Sequence, residues 1–462
     1  MLYVSDIIRE GEGTLLQGDL SLVLDSFSHD TRTIKEGDIY VGIKGESFDG
    51  NKFFIDALAK GAKGCILDNV SKEDIPEEYK DRFIVKVKNS LKCIQNLAKY
   101  KRSLYNIPVI GVTGSVGKTS TKDMIYSVLR EKYKVLKTEG NNNNHIGLPF
   151  TILRLKDEEV MILEMGMNNL GEISFLTNIA KPTIAVITNI GTAHIGNLGS
   201  RENIMKAKLE IVEGLSGPLI INNDNDMMHD HLKKIRKLNE VITFGIDNSS
   251  DYMAYDIDGN KFKIDGKDFY SPIGNRAFIY NALTAYVIGR LCNVEVDKIK
   301  RGIKNLELTS NRLEYKESRL GAILIDDTYN ASLDSIKSSL EILSKEKAER
   351  KIAIIGDVLE LGKYSKDIHM EIGKELLKNN LDYIVTIGIE TKYTDDYLAN
   401  KGFNNIKHFN KENESYEYLD GFLRKGDVVL IKGSHGINLK NVVNYLIKKW
   451  GINFPHFHLN PL

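Results

Sequence analysis

Short apolar runs that end in glycine or polar residues recur along this chain, separated by amphipathic or charged stretches. Near the N-terminus, DIYVGIK and CILD read as strands with FFIDALAKGA as a helix between them. The charged stretch Ser71–Arg82 reads as a surface connection. Further on come Pro108–Val112, Val160–Gly166, Thr183–Gly191 and Pro218–Asp224. Each is apolar and then polar or glycine-bearing, the form of a parallel strand buried on both faces. AILIDD, RKIAIIGD, YIVTIG and VVLIKG repeat the alternation towards the C-terminus. The pattern predicts an α/β protein of roughly three domains: residues 1–106, 107–310 and 311–462. The last reads as a second doubly wound unit. Asn141–Asn144 reads as a loop, and FPHFHLNPL as a tail whose His456 and His458 are by themselves weak evidence for a metal site.

Between the strand Pro108–Val112 and a helical pattern over Lys122–Leu129 lies T-G-S-V-G-K-T. A strand, a glycine-rich turn and a helix N-terminus make a phosphate cradle. Gly114 and Gly117 let backbone N–H groups approach phosphates, with Ser115 and Ser120 in the same turn. Lys118 is placed to reach the β- and γ-phosphates, and the Thr119 hydroxyl to bind Mg²⁺. The spacing is tighter than the general G-x-x-x-x-G-K-[ST], since Val112 stands at the first glycine position. No G-x-G-x-x-G dinucleotide fingerprint is present. The loop predicts use of ATP or GTP.

Ligands of open α/β sheets bind beyond the carboxyl ends of the strands. Glu164, Asn189 and His194 sit at or just after such ends. Glu164, in L-E-M-G, suits a Mg²⁺ ligand, and His194 could face the same site. NIMKAKLEIVEGL reads as a helix in which Lys206 carries surface charge. Asp326 and Asp327 end a strand in LIDDTYNASLDS, where a helix N-cap cluster and an anion site are both compatible with the pattern. Lys432-Gly433-Ser434 is a similar but less specific strand-end element.

The 63 basic and 63 acidic residues cancel, so no global field favours nucleic acid or membrane. MLYVSDIIREGEG has neither a basic start nor a long apolar core, and no apolar run approaches the ~18 residues of a membrane span. Cys65, Cys93 and Cys292 are widely separated and read as reduced thiols of a cytoplasmic protein.

Taken together, these segments resemble the Mur ligases of bacterial cell-wall synthesis along nearly the whole chain. HDTRTIKEGDIYVGIKGESFDGNKF is similar to the family's uridine-nucleotide segment. TGSVGKTSTK, NNNNHIGLP, LEMGMNNLGEI, ITNIGTAHIGNLGS and KAKLEI follow in family order, then NRLE, DDTYNASLDS, GDVLELG and KGS. DDTYNAS points to the branch that adds a dipeptide, and the D-N-P-R signature of another branch is absent.

The resemblance implies three domains: one for the UDP end of the substrate, a central parallel-sheet P-loop ATPase, and a C-terminal Rossmann-like domain for the amino substrate. It implies an ATP-dependent amide ligase of peptidoglycan precursor synthesis, serving cell-wall biogenesis, cell shape and division. D-Ala-D-Ala is joined to UDP-MurNAc-tripeptide through an acyl phosphate, with ADP and phosphate released. Carried over by position, Lys118 and Thr119 serve the phosphates and Mg²⁺, and Glu164 and His194 serve two metal ions. Lys208 matches the lysine that the family carbamylates, whose carbamate binds the second Mg²⁺. Asn281, Arg312 and Asp327 complete the ATP site. Ser28, Thr31, Arg32, Lys44 and Gly45 contact the uridine diphosphate, and Asn330 and Ala331 the dipeptide. Family precedent implies a monomer.

The chain departs from the family pattern at Val116, Ala277, Phe278, Leu333 and His435. Ala277 and Phe278 bear on the adenine side, and Leu333 and His435 on the amino-substrate pocket. Two alternatives therefore stay open: a related ligase joining a different carboxylate and amine, and a non-catalytic ATP-binding protein. The sequence does not distinguish L-lysine from meso-diaminopimelate in the tripeptide.

Overall fold

A computed structural model describes residues 1–448 of the chain; the FPHFHLNPL segment, with His456 and His458, lies outside the described residues. The chain divides into two compact units. The first comprises Met1–Ile190, Glu202–Pro272 and Phe278–Glu307. The second comprises Gly191–Arg201, Ile273–Ala277 and the described chain from Leu308 onward.

The first unit contains a five-stranded sheet ordered Thr14–Gln17, Phe83–Lys86, Gly64–Leu67, Ile39–Val41, Phe27–Ser28. Its strands are parallel except the antiparallel edge Thr14–Gln17. Tyr40, Leu58, Cys65, Leu67 and Ile84 form the core beside it. The FFIDALAKGA segment is helical, as a 3-10 turn Gly50–Phe53 running into the α-helix Phe54–Ala59. Ser71–Arg82 carries two short 3-10 turns with no buried residue.

The same unit holds a nine-stranded sheet. Val109–Thr113 lies between Val160–Glu164 on one side and Ile184–Ile187 on the other, all parallel. Val135–Lys137 lies beyond the former, and Leu219–Asn222 and Val241–Gly245 beyond the latter. All five residues of Val109–Thr113 are buried, as both-face coverage requires. Strands that follow it in sequence go to opposite sides, so its carboxyl end is a topological switch point, where such sheets bind ligands. Register sets Glu164 opposite Val112 and Ile187 opposite Thr113, which brings three strand ends to one edge. The sheet is extended by an antiparallel meander, Tyr252–Asp258, Lys261–Ile264 and Lys267–Tyr270, which the apolar-run pattern does not anticipate.

The second unit is built on a six-stranded sheet ordered Glu314–Glu317, Ile323–Asp326, Asp427–Lys432, Arg350–Gly356, Tyr383–Ile387, Ile406–Phe409. Only the edge pair Glu314–Glu317 with Ile323–Asp326 is antiparallel. Leu324, Ile352, Ile354, Val429, Ile431 and Val443 anchor its core. The four predicted strands of this region are thus present, in a doubly wound sheet.

Candidate functional site

The helix after Val109–Thr113 begins at Lys118, directly behind Gly117, rather than at Lys122. Gly117 has φ +83, the left-handed region that glycine enters without strain, so the chain turns into the helix at once. Gly114 has no room for a side chain: a Cβ there would lie 1.8 Å from Thr188 Oγ1. The loop is tied to the neighbouring strand end by its main chain. Ser115 N–H donates to Asn189 O (3.1 Å), Val116 N–H to Asn189 Oδ1 (2.9 Å), and Thr188 Oγ1–H to Val116 O (2.6 Å). Val116 therefore replaces a small polar residue without removing the bonds that shape the turn.

The functional groups of this loop converge. Lys118 Nζ donates to Gly114 O at 2.9 Å, folded back over the turn where phosphates would sit. Thr119 Oγ1 donates to Glu164 Oε2 at 2.9 Å. Asn143 Nδ2 donates to the other oxygen, Glu164 Oε1, at 2.9 Å, and Glu164 N–H donates to Thr138 Oγ1. Glu164 is almost fully buried and held on both oxygens. Asn281 joins the cluster, accepting from Thr121 Oγ1 at 2.8 Å through Oδ1. Asn143 was not singled out by sequence reasoning, although it stands in the N-N-N-N-H-I-G-L-P segment.

No group of three or more His, Cys, Asp and Glu that could hold a metal occurs among the described residues. One hydroxyl and one carboxylate 2.9 Å apart beside a phosphate loop are nevertheless what Mg²⁺ uses, since it takes one or two protein oxygens and completes its shell with phosphates and water. The donor set fits that ion.

Lys208 and Lys206 share the helix Arg201–Leu209 but not an environment. Lys206 is exposed, while Lys208 is 1% exposed. Burial, and secondarily the Lys118 ammonium, push the Lys208 ammonium well below the ordinary lysine range. No carboxylate of the described residues pairs with it.

In the N-terminal sheet, Thr31 and Arg32 line a cavity of about 520 Å³ together with His29, Asp30, Tyr40, Phe48 and Phe53. Arg32 forks onto Asp30, with Nε at 2.9 Å and Nη2 at 2.7 Å, and that pairing lowers the Asp30 carboxyl to about 2. Phe48, 56% exposed, stacks on Phe53 with centroids 5.0 Å apart. Ser28 Oγ–H donates to Asp30 O nearby. Lys44 forms an isolated bridge to Asp49, and Gly45 N–H closes the turn on Phe48 O. Ser28, Lys44 and Gly45 are not among the residues that line the cavity. The aromatic lining was not anticipated.

In the second unit the two strand-end acids have different partners. Asp326 is fully buried and accepts from Lys316 and Lys440, each at 2.6 Å. Asp327 accepts from Lys432 Nζ and from Ser339 Oγ, both at 2.6 Å. Lys432 also donates to Asn330 O, which ties the predicted Asn330–Ala331 segment to the strand end. Burial lowers the Lys432 ammonium below its ordinary range despite Asp327 beside it. The Arg312 guanidinium lies 4.1 Å from the Tyr329 ring centroid. His435 is exposed at the start of a short 3-10 turn. His194 belongs to this unit, where its Nδ1 lies 2.5 Å from Glu360 Oε2.

Leu333 is the first residue of the helix Leu333–Lys345, whose N-cap Ser332 is extended at φ −151°, ψ 164°. A first helical position tolerates proline, and proline requires an extended residue before it. Leu333→Pro is expected to shift stability by no more than about 1 kcal/mol in either direction. A shift in the urea midpoint equivalent to several kcal/mol would show that the Leu333 side chain or N–H matters more than its position.

Residues 112–289 match the Mur ligase middle domain, and residues 311–435 match the Mur ligase, glutamate ligase domain. The chain is 34% identical to the UDP-N-acetylmuramoyl-tripeptide–D-alanyl-D-alanine ligase of Bacillus subtilis, over 96% of this chain and 98% of that one. Its fold is similar to the crystal structure of MurF from Acinetobacter baumannii, with a TM-score of 0.85 and 26% identity over 97% and 99% of the two chains. It is also similar to MurF ligase from Thermotoga maritima in complex with ADP, with a TM-score of 0.76 and 28% identity over 91% and 97%.

Proposed function

The chain belongs to the Mur ligase family, and on that premise we propose that it joins D-Ala-D-Ala to UDP-MurNAc-tripeptide at the expense of ATP. The protein is an ATP-dependent amide ligase of peptidoglycan precursor synthesis. The observation that carries this reading is the loop in which Lys118 folds over the turn while Thr119 meets Glu164 at 2.9 Å. A buried carboxylate beside the loop threonine suits Mg²⁺–ATP, and phosphoryl transfer requires the charge neutralisation that this ion supplies.

The tripeptide carboxylate attacks the γ-phosphorus, giving an acyl phosphate and ADP. The dipeptide amine then attacks the acyl carbon, and phosphate leaves. Lys118 and the loop N–H groups hold the phosphates in line, and Thr119 and Glu164 would hold Mg²⁺. That ion, when bound, neutralises phosphate oxygens. Gly114, Ser115, Gly117, Ser120 and Asn281 serve the nucleotide in this reading, and Arg312 and Asp327 are assigned to ATP as well. His194 serves as a further metal ligand. Ser28, Thr31, Arg32, Lys44 and Gly45 serve the uridine diphosphate, and the exposed Phe48 ring suits a planar base. Asn330 and Ala331 serve the dipeptide.

We assign Lys208 the carbamate role. Burial favours the neutral amine of Lys208, the form that adds CO₂, releasing one proton and leaving an anion beside Lys118. In this reading the functional modules are 1–106, 107–310 and 311–462, which the five-, nine- and six-stranded sheets support. The chain acts in this reading as a cytoplasmic monomer. No helix of the described residues is long and apolar enough to cross a membrane.

Purified protein with ATP, Mg²⁺ and UDP-MurNAc-tripeptide is expected to release ADP in a D-Ala-D-Ala-dependent manner, with the pentapeptide product seen by mass. ATP binding without release under any of these conditions would refute the reading.

A further inference from the structure

The sequence G-D-V-L-E-L-G, residues 356–362, matches the family but has no role in the chemistry above. In the second unit it forms a braced loop. Asp357 is buried and accepts from Ile389 N–H (2.9 Å) and Thr391 N–H (2.7 Å). Val358 N–H donates to the buried His369 Nε2, and Leu359 N–H to Ser434 Oγ at 2.9 Å. Leu361 is 3% exposed. The one long polar side chain this loop projects between those anchors is Glu360.

Glu360 meets the turn that carries His194. Its Oε2 lies 2.5 Å from His194 Nδ1, and its carbonyl accepts from Gly196 N–H at 3.0 Å. Tyr364 Oη–H donates to Gly199 O at 2.5 Å, closing the far end of the same turn. Glu360 and His194 both have left-handed backbones, φ +62° and φ +63°. Such a conformation costs a non-glycine residue energy and persists only where its surroundings fix it.

We propose that Glu360 is a positioning residue for His194: it accepts the Nδ1 proton, fixes the ring's orientation and leaves the Nε2 lone pair to a divalent cation. A carboxylate behind a ligating imidazole is how proteins set the tautomer and the aim of that ring. The inference rests on the reading of His194 as a metal ligand. It adds that the ligand is competent only when the 356–362 loop is in place, so one loop of the amino-substrate module controls a metal-binding side chain.

The experiment uses full-length protein with ¹⁵N-labelled histidine, His194→Ala to assign the signal, and the variants Glu360→Ala and Glu360→Gln. The metal-free wild type is expected to show His194 as the Nδ1–H tautomer, with Glu360→Ala moving it towards Nε2–H. In the assay, Glu360→Ala is expected to raise the Mg²⁺ concentration for half-maximal turnover roughly 10–100-fold. Glu360→Gln, which keeps an acceptor oxygen, is expected to recover most of both effects. An unchanged tautomer in Glu360→Ala overturns the proposal outright. A changed tautomer with unchanged Mg²⁺ dependence also overturns it, provided His194→Ala alters that dependence. A His194→Ala enzyme with normal Mg²⁺ dependence refutes the ligand reading itself, and the positioning role falls with it.

Discussion

Lys208→Ala is expected to retain ATP binding and to lose turnover by about 10²–10³-fold, the cost of removing one charge-stabilising group from an active site. Short carboxylic acids added to the variant are expected to restore part of the rate. The argument starts from burial. An ammonium that is 1% exposed, beside Lys118 and without a carboxylate partner, is a poor resident of a protein interior. It is tolerated as the neutral amine, and the neutral amine is the nucleophile that CO₂ needs. The proposed carbamate would reverse the sign of the charge and give Lys118 a counter-ion. A small carboxylate diffusing into the truncated site supplies the same anion, which is why rescue is diagnostic. The same burial has a consequence for folding. Because the folded pKa lies below the ordinary 10.5, the unfolded chain holds the extra proton between those values. Stability without CO₂ should therefore rise with pH across that window, and the rise should be absent from Lys208→Ala. Urea midpoints measured against pH in CO₂-free buffer test this. Unimpaired turnover in Lys208→Ala would remove the residue from the mechanism.

The phosphate loop was readable because its geometry is written in glycines: Gly114 abuts Thr188, and Gly117 needs a left-handed backbone. Glu164 was readable because an apolar run ended on it. Its partner Asn143 was not, since a run of four asparagines has no period to say which one turns inward. Lys206 was read as surface charge and is exposed, but the burial of Lys208 was not legible, since it comes from the helix's packing. The role of Lys208 came from resemblance alone. The helix start was placed late because T-S-T-K is polar and β-branched, whereas the left-handed turn at Gly117 begins the helix at Lys118. The meander over 252–270 was missed although Asp258-Gly259 and Asp265-Gly266 are hairpin signals; Gly259, Asp265 and Gly266 all have positive φ. Its strands are charged and partly exposed, so apolar runs do not reveal them. The aromatic lining of the N-terminal cavity was hidden for a similar reason, because Phe48 stands in the turn-like G-E-S-F-D-G.

Asp326→Ala is expected to destabilise the second unit by about 3–5 kcal/mol, because it breaks a buried ion-pair cluster by removing one side of it. Asp326 and Asp327 are adjacent acids at one strand end, and their surroundings assign them different work. Asp326 Oδ2 accepts from both Lys316 and Lys440 at 2.6 Å, while Oδ1 accepts from Thr328 Oγ1 at 2.7 Å. These bonds join the edge strand Glu314–Glu317 and the helix Lys440–Ile447 to the sheet. Without the carboxylate, Lys440 loses its anion and Lys316 keeps only Glu314, 2.8 Å away at the edge of the sheet. The penalty is a large part of the roughly 5–15 kcal/mol that holds a typical domain. The pH dependence follows from the same contacts. Burial pushes the Asp326 carboxyl up, but Lys316 and Lys440 together pull it below the ordinary 3.8. A lowered carboxyl contributes fully above its unfolded value and loses that contribution as pH falls through the folded one. The wild type should therefore lose stability as the medium is acidified below about pH 4, and Asp326→Asn should flatten that acid limb while lowering the plateau. Urea unfolding of both proteins across that range, followed by a probe in the second unit, tests the assignment. Parallel acid limbs would mean that other carboxylates carry the acid sensitivity and that Asp326 is not the keystone of the cluster.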